Sequence, residues 1–262
     1  MNSLSAEGIA AGLPSGVLLG RQIHYYASIG STNDEARRLA SAGAPEGTLI
    51  IADEQTAGRG RLHRRWWAPP ATSLLFSLIF RPPLAPVQAQ QLTMCAGLAA
   101  AEAIQAQTGL DVGLKWPNDV VWKGRKLGGI LTELETDGER LAYAVVGMGL
   151  NVNLDVAALP PLSAPATSLL AALGHPVDRL SLLLAILGHW EARYRCLRQG
   201  VSPYEDWAAR LVTVGQQVQV IQGDRLLEGY ATGVDATGAL LLRRADGQVE
   251  RIWGGDVTVR KG

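Results

Sequence analysis

Ser73 to Phe80, SLLFSLIF, is a continuous and almost wholly apolar run fenced by Pro69-Pro70 and Pro82-Pro83. A strand without polar–apolar alternation is buried on both faces, so its sheet needs cover on each side. Helical segments can supply that cover. Thr32 to Ala42 reads as a helix, with Thr32 and Glu35 at the spacing of a capping box. Pro86 to Thr108 reads as a long alanine-rich helix stopped by Gly109. Thr167 to Leu173, Asp178 to Gln199 and Pro203 to Leu211 are further helical segments, and residues 1 to 20 read as a short helix and a loop around Pro14. Gly47 to Glu54 and Leu141 to Asn151 read as strands. Leu114 to Leu134 reads as a meander with turns at Pro117-Asn118-Asp119 and Lys123-Gly124-Arg125.

The texture changes near Thr213. Val218 to Ile221, Leu226 to Ala231, Ala239 to Leu242, Val249 to Trp253 and Val257 to Val259 are short strand candidates separated by Gly/Asp turns, the pattern of a small closed barrel. The expected organisation is a short segment over 1–22, a large domain over 23–212 and a small barrel over 213–262. With 262 residues, 47% apolar and 18% charged, the chain has the composition of a soluble globule. Its formal net charge is zero, so no global attraction to DNA or membrane is expected and any anion must be held by a local cluster. Met1 to Gly20 lacks the basic-then-apolar order of a signal peptide, and no apolar run is long enough to span a bilayer. Cys95 and Cys196 fall in helical segments, read as two buried thiols suited to a reducing cytoplasm.

Cation concentrates in one place. Gly58-Arg59-Gly60-Arg61-Leu62-His63-Arg64-Arg65-Trp66 packs four arginines and a histidine into nine residues after a strand. Glycine permits inward-turned N–H groups, and arginine forks grip carboxylate or phosphate. A solvated basic loop is the plainer alternative. Ser31-Thr32-Asn33 reads first as a helix cap, with hydroxyl and amide groups to spare for a polar ligand. In Lys115-Trp116-Pro117-Asn118-Asp119, Trp and Pro stiffen a turn between a cation and a carboxylate. Lys115 suits a phosphate, while Asp119 could serve as general base or Mg²⁺ ligand, and an ordinary surface ion pair is equally compatible. Lys126-Leu127-Gly128-Gly129-Ile130 places a lysine beside backbone that a ligand can approach closely. Gly147-Met148-Gly149-Leu150-Asn151 is not GxGxxG before a helix, and the chain has no GxxxxGK[ST], so neither a Rossmann site nor a P-loop is expected.

Taken in this order, Ser31 to Asn33, Gln55 to Arg61 with Arg64 and Trp66, Lys115 to Asp119, Lys126 to Ile130, and Gly149 with Asn151 resemble the biotin protein ligase family over residues 23 to 260. The resemblance implies an α+β fold: a mixed β-sheet flanked by helices, of the class II synthetase-like type, with a C-terminal SH3-like β-barrel. It implies ATP-dependent activation of biotin to biotinyl-5'-AMP and transfer to a lysine of a biotin carboxyl carrier domain. It places biotin at Ser31, Thr32, Asn33, Gln55, Gly58, Arg59, Gly60, Arg61, Lys126, Gly129 and Gly149. It places ATP at Arg61, Arg64, Trp66, Lys115, Asn118, Asp119 and Asn151, with Asp119 toward Mg²⁺ and Lys126, Arg61, Asp119 and Lys115 as the catalytic set. A lipoate or octanoate ligase, lacking here its Arg-Arg-x-Ser-Gly-Gly-Gly signature, is the nearest rival. A biotin-adenylate-binding regulator and a nucleic-acid-binding protein follow. No operator binding is expected. The basic loop is expected to be mobile without ligand and ordered with it. A homodimer formed through an exposed edge of the meander is left open.

Overall fold

The computed structural model describes residues 4–158 and 165–259, with the His63 and Ala158 side chains outside the description. Along the chain run α1 (Ala6–Gly12), β1 (Ile23–Tyr26), α2 (Thr32–Ser41), β2 (Leu49–Ala52) and β3 (Ser73–Phe80). Then come α3 (Gln90–Thr108), β4 (Gly113–Lys115), β5 (Asp119–Trp122), β6 (Arg125–Asp137) and β7 (Arg140–Asn151). Helices α4 (Leu169–Leu173), α5 (Arg179–Arg198) and α6 (Tyr204–Ala209) lead to β8 (Gln217–Gln222), β9 (Arg225–Val234), β10 (Leu240–Arg243), β11 (Val249–Ile252) and β12 (Asp256–Val259).

The first seven strands form one mixed sheet in the order β1-β2-β3-β7-β6-β5-β4, with β1 and β2 parallel and the other neighbours antiparallel. All eight residues of β3 are buried, as its apolar run requires. Leu74, Phe76, Leu78 and Phe80 face the α3/α5 side, and Phe80 stacks on Trp190 of α5 with ring centroids 5.5 Å apart. Such a pair adds about 0.5–1.5 kcal/mol to the burial itself. The opposite face carries α2, whose Ala36 and Ala40 pack on Ile50, Ile79, Tyr143 and Val145. Leu4, Ile9 and Leu19 of the N-terminal segment join the α3/α5 core, and the buried Glu191 carboxylate accepts from the Leu18 and Leu19 N–H groups. The fold is α+β, a mixed sheet flanked by helices with a C-terminal SH3-like unit. Strands β8 to β12 pair antiparallel in the order β11-β10-β9-β8-β12.

Three expectations need correction. The helix α2 starts with Ser31 as cap, not Thr32. Glu35 does not fold back to complete a capping box, because Arg38 and the Tyr26 hydroxyl take its carboxylate. The two thiols differ: burial drives the Cys95 thiol up to about 12, whereas Cys196 is exposed. The meander edge is also covered. Leu114 N–H donates to Arg210 O and Val212 N–H donates to Leu114 O, both at 2.9 Å, so the chain's own connector occupies the β4 edge offered for dimer pairing.

Candidate functional site

Strand register assembles the site. Leu75, Gly149, Gly129, Asp119 and Lys115 are successive cross-strand partners from β3 through β7, β6 and β5 to β4. Ser77, Gly147 and Leu131 form a second such row. The glycines keep side chains off this part of the sheet, on its α2 face. A Cβ on Gly147 would stand 1.9 Å from Asn33 Oδ1, and one on Gly149 would stand 2.5 Å from the Trp66 ring. Lys126 reaches this face through an irregularity. Between β5 and β6 the register slips by one residue after Val120, so Leu127 turns into the core and Lys126 turns to the cavity side. A bulge re-aims a side chain in this way. Lys126 Nζ then lies 2.6 Å from Asp119 Oδ1.

Above these rows lies a cavity of about 280 Å³, with the Trp66 ring against its Gly149 wall. One end is polar. Thr32 N–H and Oγ1 lie 2.8 and 3.1 Å from Gln55 Oε1, and Ser77 Oγ lies 2.8 Å from Thr32 Oγ1 and 2.6 Å from Asn33 Oδ1. Asn33 Nδ2 donates to Leu131 O and to Glu133 Oε2. The Thr32 and Asn33 groups are therefore not spare: Thr32 is bonded to Gln55 and Ser77, and both ends of the Asn33 amide are engaged by protein. Gln55 Nε2 has no acceptor among the described residues, and Ser31 Oγ makes only a 3.5 Å cap contact.

The other end is cationic and lies under the basic loop. That loop is a small hairpin. Trp66 N–H donates to Gly58 O, Gly60 N–H donates to Arg64 O, and a 3₁₀ turn forms the tip. The Gly60, Arg64 and Trp66 N–H groups serve the hairpin's own bonds rather than a nest. The positive φ falls on Leu62, at 53°, and not on either glycine. Gly58 is required for a different reason: a Cβ there would meet the Trp66 carbonyl oxygen at 2.5 Å. The loop is folded over the site. Arg59 pairs with Asp34 and Glu133, and Arg64 pairs with Asp256 of β12. Arg61 and Lys115 have no such ion pair among the described residues. Arg61 Nη1 donates to Asn118 Oδ1 at 3.3 Å. Burial lowers the pKa of both cations, partly offset by Asp256 and Asp119.

The Lys115–Asp119 turn is fixed from below. Trp116 is buried, its N–H donates to Thr213 Oγ1 at 3.0 Å and its indole Nε1 donates to Gly238 O at 2.8 Å. The C-terminal unit thus braces the turn, and its Gly255 to Thr258 segment lines the cavity.

These features match known proteins. A model described as the Biotin/lipoate A/B protein ligase family matches residues 25–151, and one described as Biotin protein ligase C terminal domain matches 213–260. The bifunctional ligase/repressor BirA of Bacillus spizizenii is 36% identical across 97% of this chain and 78% of its own length. The chain belongs to the biotin protein ligase family. A biotin–[acetyl-CoA-carboxylase] ligase of Paracoccus denitrificans is 35% identical over 83% of this chain and 92% of its own. The biotin protein ligase of Aquifex aeolicus in complex with biotin and ATP superposes with a TM-score of 0.76 at 28% identity, covering 92% of this chain and 100% of that one.

In this biotin protein ligase, Ser31, Thr32, Asn33, Gln55, Arg59, Gly60, Arg61, Arg64, Trp66, Lys115, Asn118, Asp119, Lys126, Gly129, Gly149 and Asn151 all line the one cavity. Gly58 does not line it and acts within the hairpin. Sequence reasoning missed Ser77, Gly147, Leu131, Trp116 as an anchor, Asp256 and Glu133. Ser77 and Gly147 had a readable signal, since alternation along β3 and β7 puts them on the face of Ile79 and Val145. Asp256 had none, because only the tertiary fold brings it to the site.

Proposed function

We propose that this ligase joins biotin to ATP to form biotinyl-5'-AMP with release of pyrophosphate, then transfers biotin to a lysine of a biotin carboxyl carrier domain. The observation that carries this reading is one cavity with two unlike ends. The polar end, with Ser31 Oγ and Gln55 Nε2 still available, suits a neutral urea in an otherwise satisfied wall. The cationic end suits a carboxylate meeting a triphosphate, since two anions are brought together only where cations offset their repulsion.

On this reading the carboxylate oxygen of biotin attacks the α-phosphorus and pyrophosphate leaves. Arg61 and Lys115, free of internal carboxylates, carry the charge on the phosphoryl oxygens. Lys126, held by Asp119, steadies the acyl-phosphate junction. The acceptor amine then attacks the acyl carbonyl and AMP leaves. Closure of the hairpin and Trp66 keeps water from the mixed anhydride. No cluster of three or more His, Cys, Asp or Glu able to hold a metal occurs among the described residues. Mg²⁺ carried on a nucleotide needs only one or two protein carboxylates, and Asp119 and Asp256 both line the cavity, so they fit that role. Such an ion would neutralise phosphate charge. No helix among the described residues is long and apolar enough to cross a membrane. Both cysteines are free, and we place the enzyme in the cytoplasm.

The test is ATP–pyrophosphate exchange with biotin and with lipoate, followed by labelling of a carrier domain. Exchange that requires biotin, together with one biotin added to the carrier, is expected. Exchange with lipoate alone, or biotin binding without transfer, would overturn the reading.

A further inference from the structure

Glu133 lies on β6 beyond the Lys126–Ile130 motif, on the cavity face of the sheet. Its carboxylate gathers three groups from two other parts of the chain. Asn33 Nδ2 of α2 donates to Oε2 at 2.8 Å, Arg59 Nη2 of the basic hairpin lies 3.1 Å from both oxygens, and Arg37 Nη1 of α2 lies 3.6 Å away. The side chain is 22% exposed, against 55% for Asp34, the other partner of Arg59. The Asp34 pair is thus the more screened by water, and Glu133 is the stronger tether. Glu133 does not touch the Lys115 end of the cavity, so its contribution must come through the groups it holds.

Those groups have separate tasks. Asn33 supports the polar floor, where its Oδ1 meets Ser77 and packs over Gly147. Arg59 sits two residues before Arg61 in the hairpin, and Arg61, unlike Arg59 and Arg64, pairs with no carboxylate among the described residues. Fixing Arg59 fixes where the hairpin enters and so where Arg61 points. Arg59 is committed to carboxylates of the protein and is not the arginine available for a ligand anion.

We propose that Glu133 is a positioning residue that ties the polar floor to the basic hairpin, so that one carboxylate holds the lid closed over the site with Arg61 aimed inward. This rests on the ligase reading for its consequences in catalysis, but not for its geometry. Losing the tether lets the hairpin open more often. The closed state is then a smaller fraction of the molecules, and apparent biotin affinity falls by that fraction. An open lid also admits water to the adenylate, so ATP is consumed without transfer.

The experiment compares wild type with Glu133→Gln, Arg59→Gln and the double variant. In ligand-free protein, trypsin cleavage within the hairpin should accelerate about fivefold in each variant, the scale of one partly exposed charge-assisted pair. The double variant should be no faster than Arg59→Gln alone, because that change already removes the pairs of Arg59 with both Glu133 and Asp34. With substrates, KM for biotin should rise by less than that factor, because the closed fraction loses only what the open fraction gains, while kcat of exchange changes little and ATP consumed per biotin transferred increases. Unchanged cleavage and stoichiometry in folded Glu133→Gln, or additive effects in the double variant, would overturn the proposal. If Glu133→Gln does not fold, Arg59→Gln decides, since it breaks the pair from the surface hairpin without altering the sheet. Wild-type protein without biotin-dependent exchange would overturn the ligase reading and leave the cleavage result to judge the tether separately.

Discussion

The two ends of the cavity are built differently. At the polar end Thr32, Asn33, Gln55 and Ser77 bond chiefly to one another, across α2, β3 and the strand-end loop. At the cationic end three hairpin arginines are held by partners from elsewhere: Arg59 by β6, Arg61 by the meander turn, and Arg64 by the C-terminal unit. The first end is a finished part of the core and needs no ligand to take its shape. The second rests on partly exposed contacts, and the Arg64–Asp256 pair is one that a stronger anion can replace. Such pairs contribute little individually, about 0–1 kcal/mol, so an incoming triphosphate can displace them at low cost. On the proposed reading, the rigid end is the one that receives the neutral ring and the other is the one that moves.

If that contrast holds, variants at the two ends should separate activity from stability. Arg61→Ala should carry the largest effect, slowing biotin-dependent exchange about 10²–10³-fold, as loss of one preorganised charge donor does. Its melting temperature should stay at the wild-type value, since the guanidinium has a single 3.3 Å hydrogen bond to protein. A large drop in melting temperature would show that the cationic end belongs to the core after all. Gly147→Ala should do the opposite. Its Cβ would enter the space of Asn33 Oδ1, so unfolding by denaturant should show a loss of about 1–3 kcal/mol, with weakened biotin binding. Full stability there would mean that the floor yields as easily as the loop.

The smallest effect is expected from acid. Arg38 and the Tyr26 hydroxyl hold the Glu35 carboxyl, on the helix that builds the floor, down at about 2 from 4.5. A carboxyl depressed in the folded state stabilises above its unfolded value, and that stabilisation is lost as pH falls from about 4.5 toward 2. Glu35→Gln should therefore lower stability at neutral pH, where that contribution is fully present, and flatten the further loss across the window, so that variant and wild type converge near pH 2. An unchanged acid limb would assign acid sensitivity to other carboxylates.

Much of this was legible from the chain. The run SLLFSLIF is β3 from Ser73 to Phe80, because a strand buried on both faces has no freedom in its pattern. The Gly109 stop of α3 adopts the left-handed conformation that such a stop requires. Motifs far apart in sequence could be named, but the row from Lys115 through Asp119 and Gly129 to Gly149 depends on strand register, which local patterns do not encode. The outward turn of Lys126 depends on a single slip in that register. The glycines of the basic loop suggested a nest because composition does not distinguish φ freedom from close approach. Glu133 and Asp256 went unnoticed because an acid in a strand looks like any solvated residue until its partner is seen.

The residues that cap β4 have a further consequence. Arg210 to Val212 look like a connector between two units, yet their backbone completes the hydrogen bonding of the last strand in the sheet. Cutting the chain there would not release two finished pieces. It would bare a row of unmet amide groups beside Lys115, an adhesive margin open to any other extended chain. The smaller unit is therefore joined to the larger through the same strand that presents Lys115 to the cavity, and the seam between them is part of the weave.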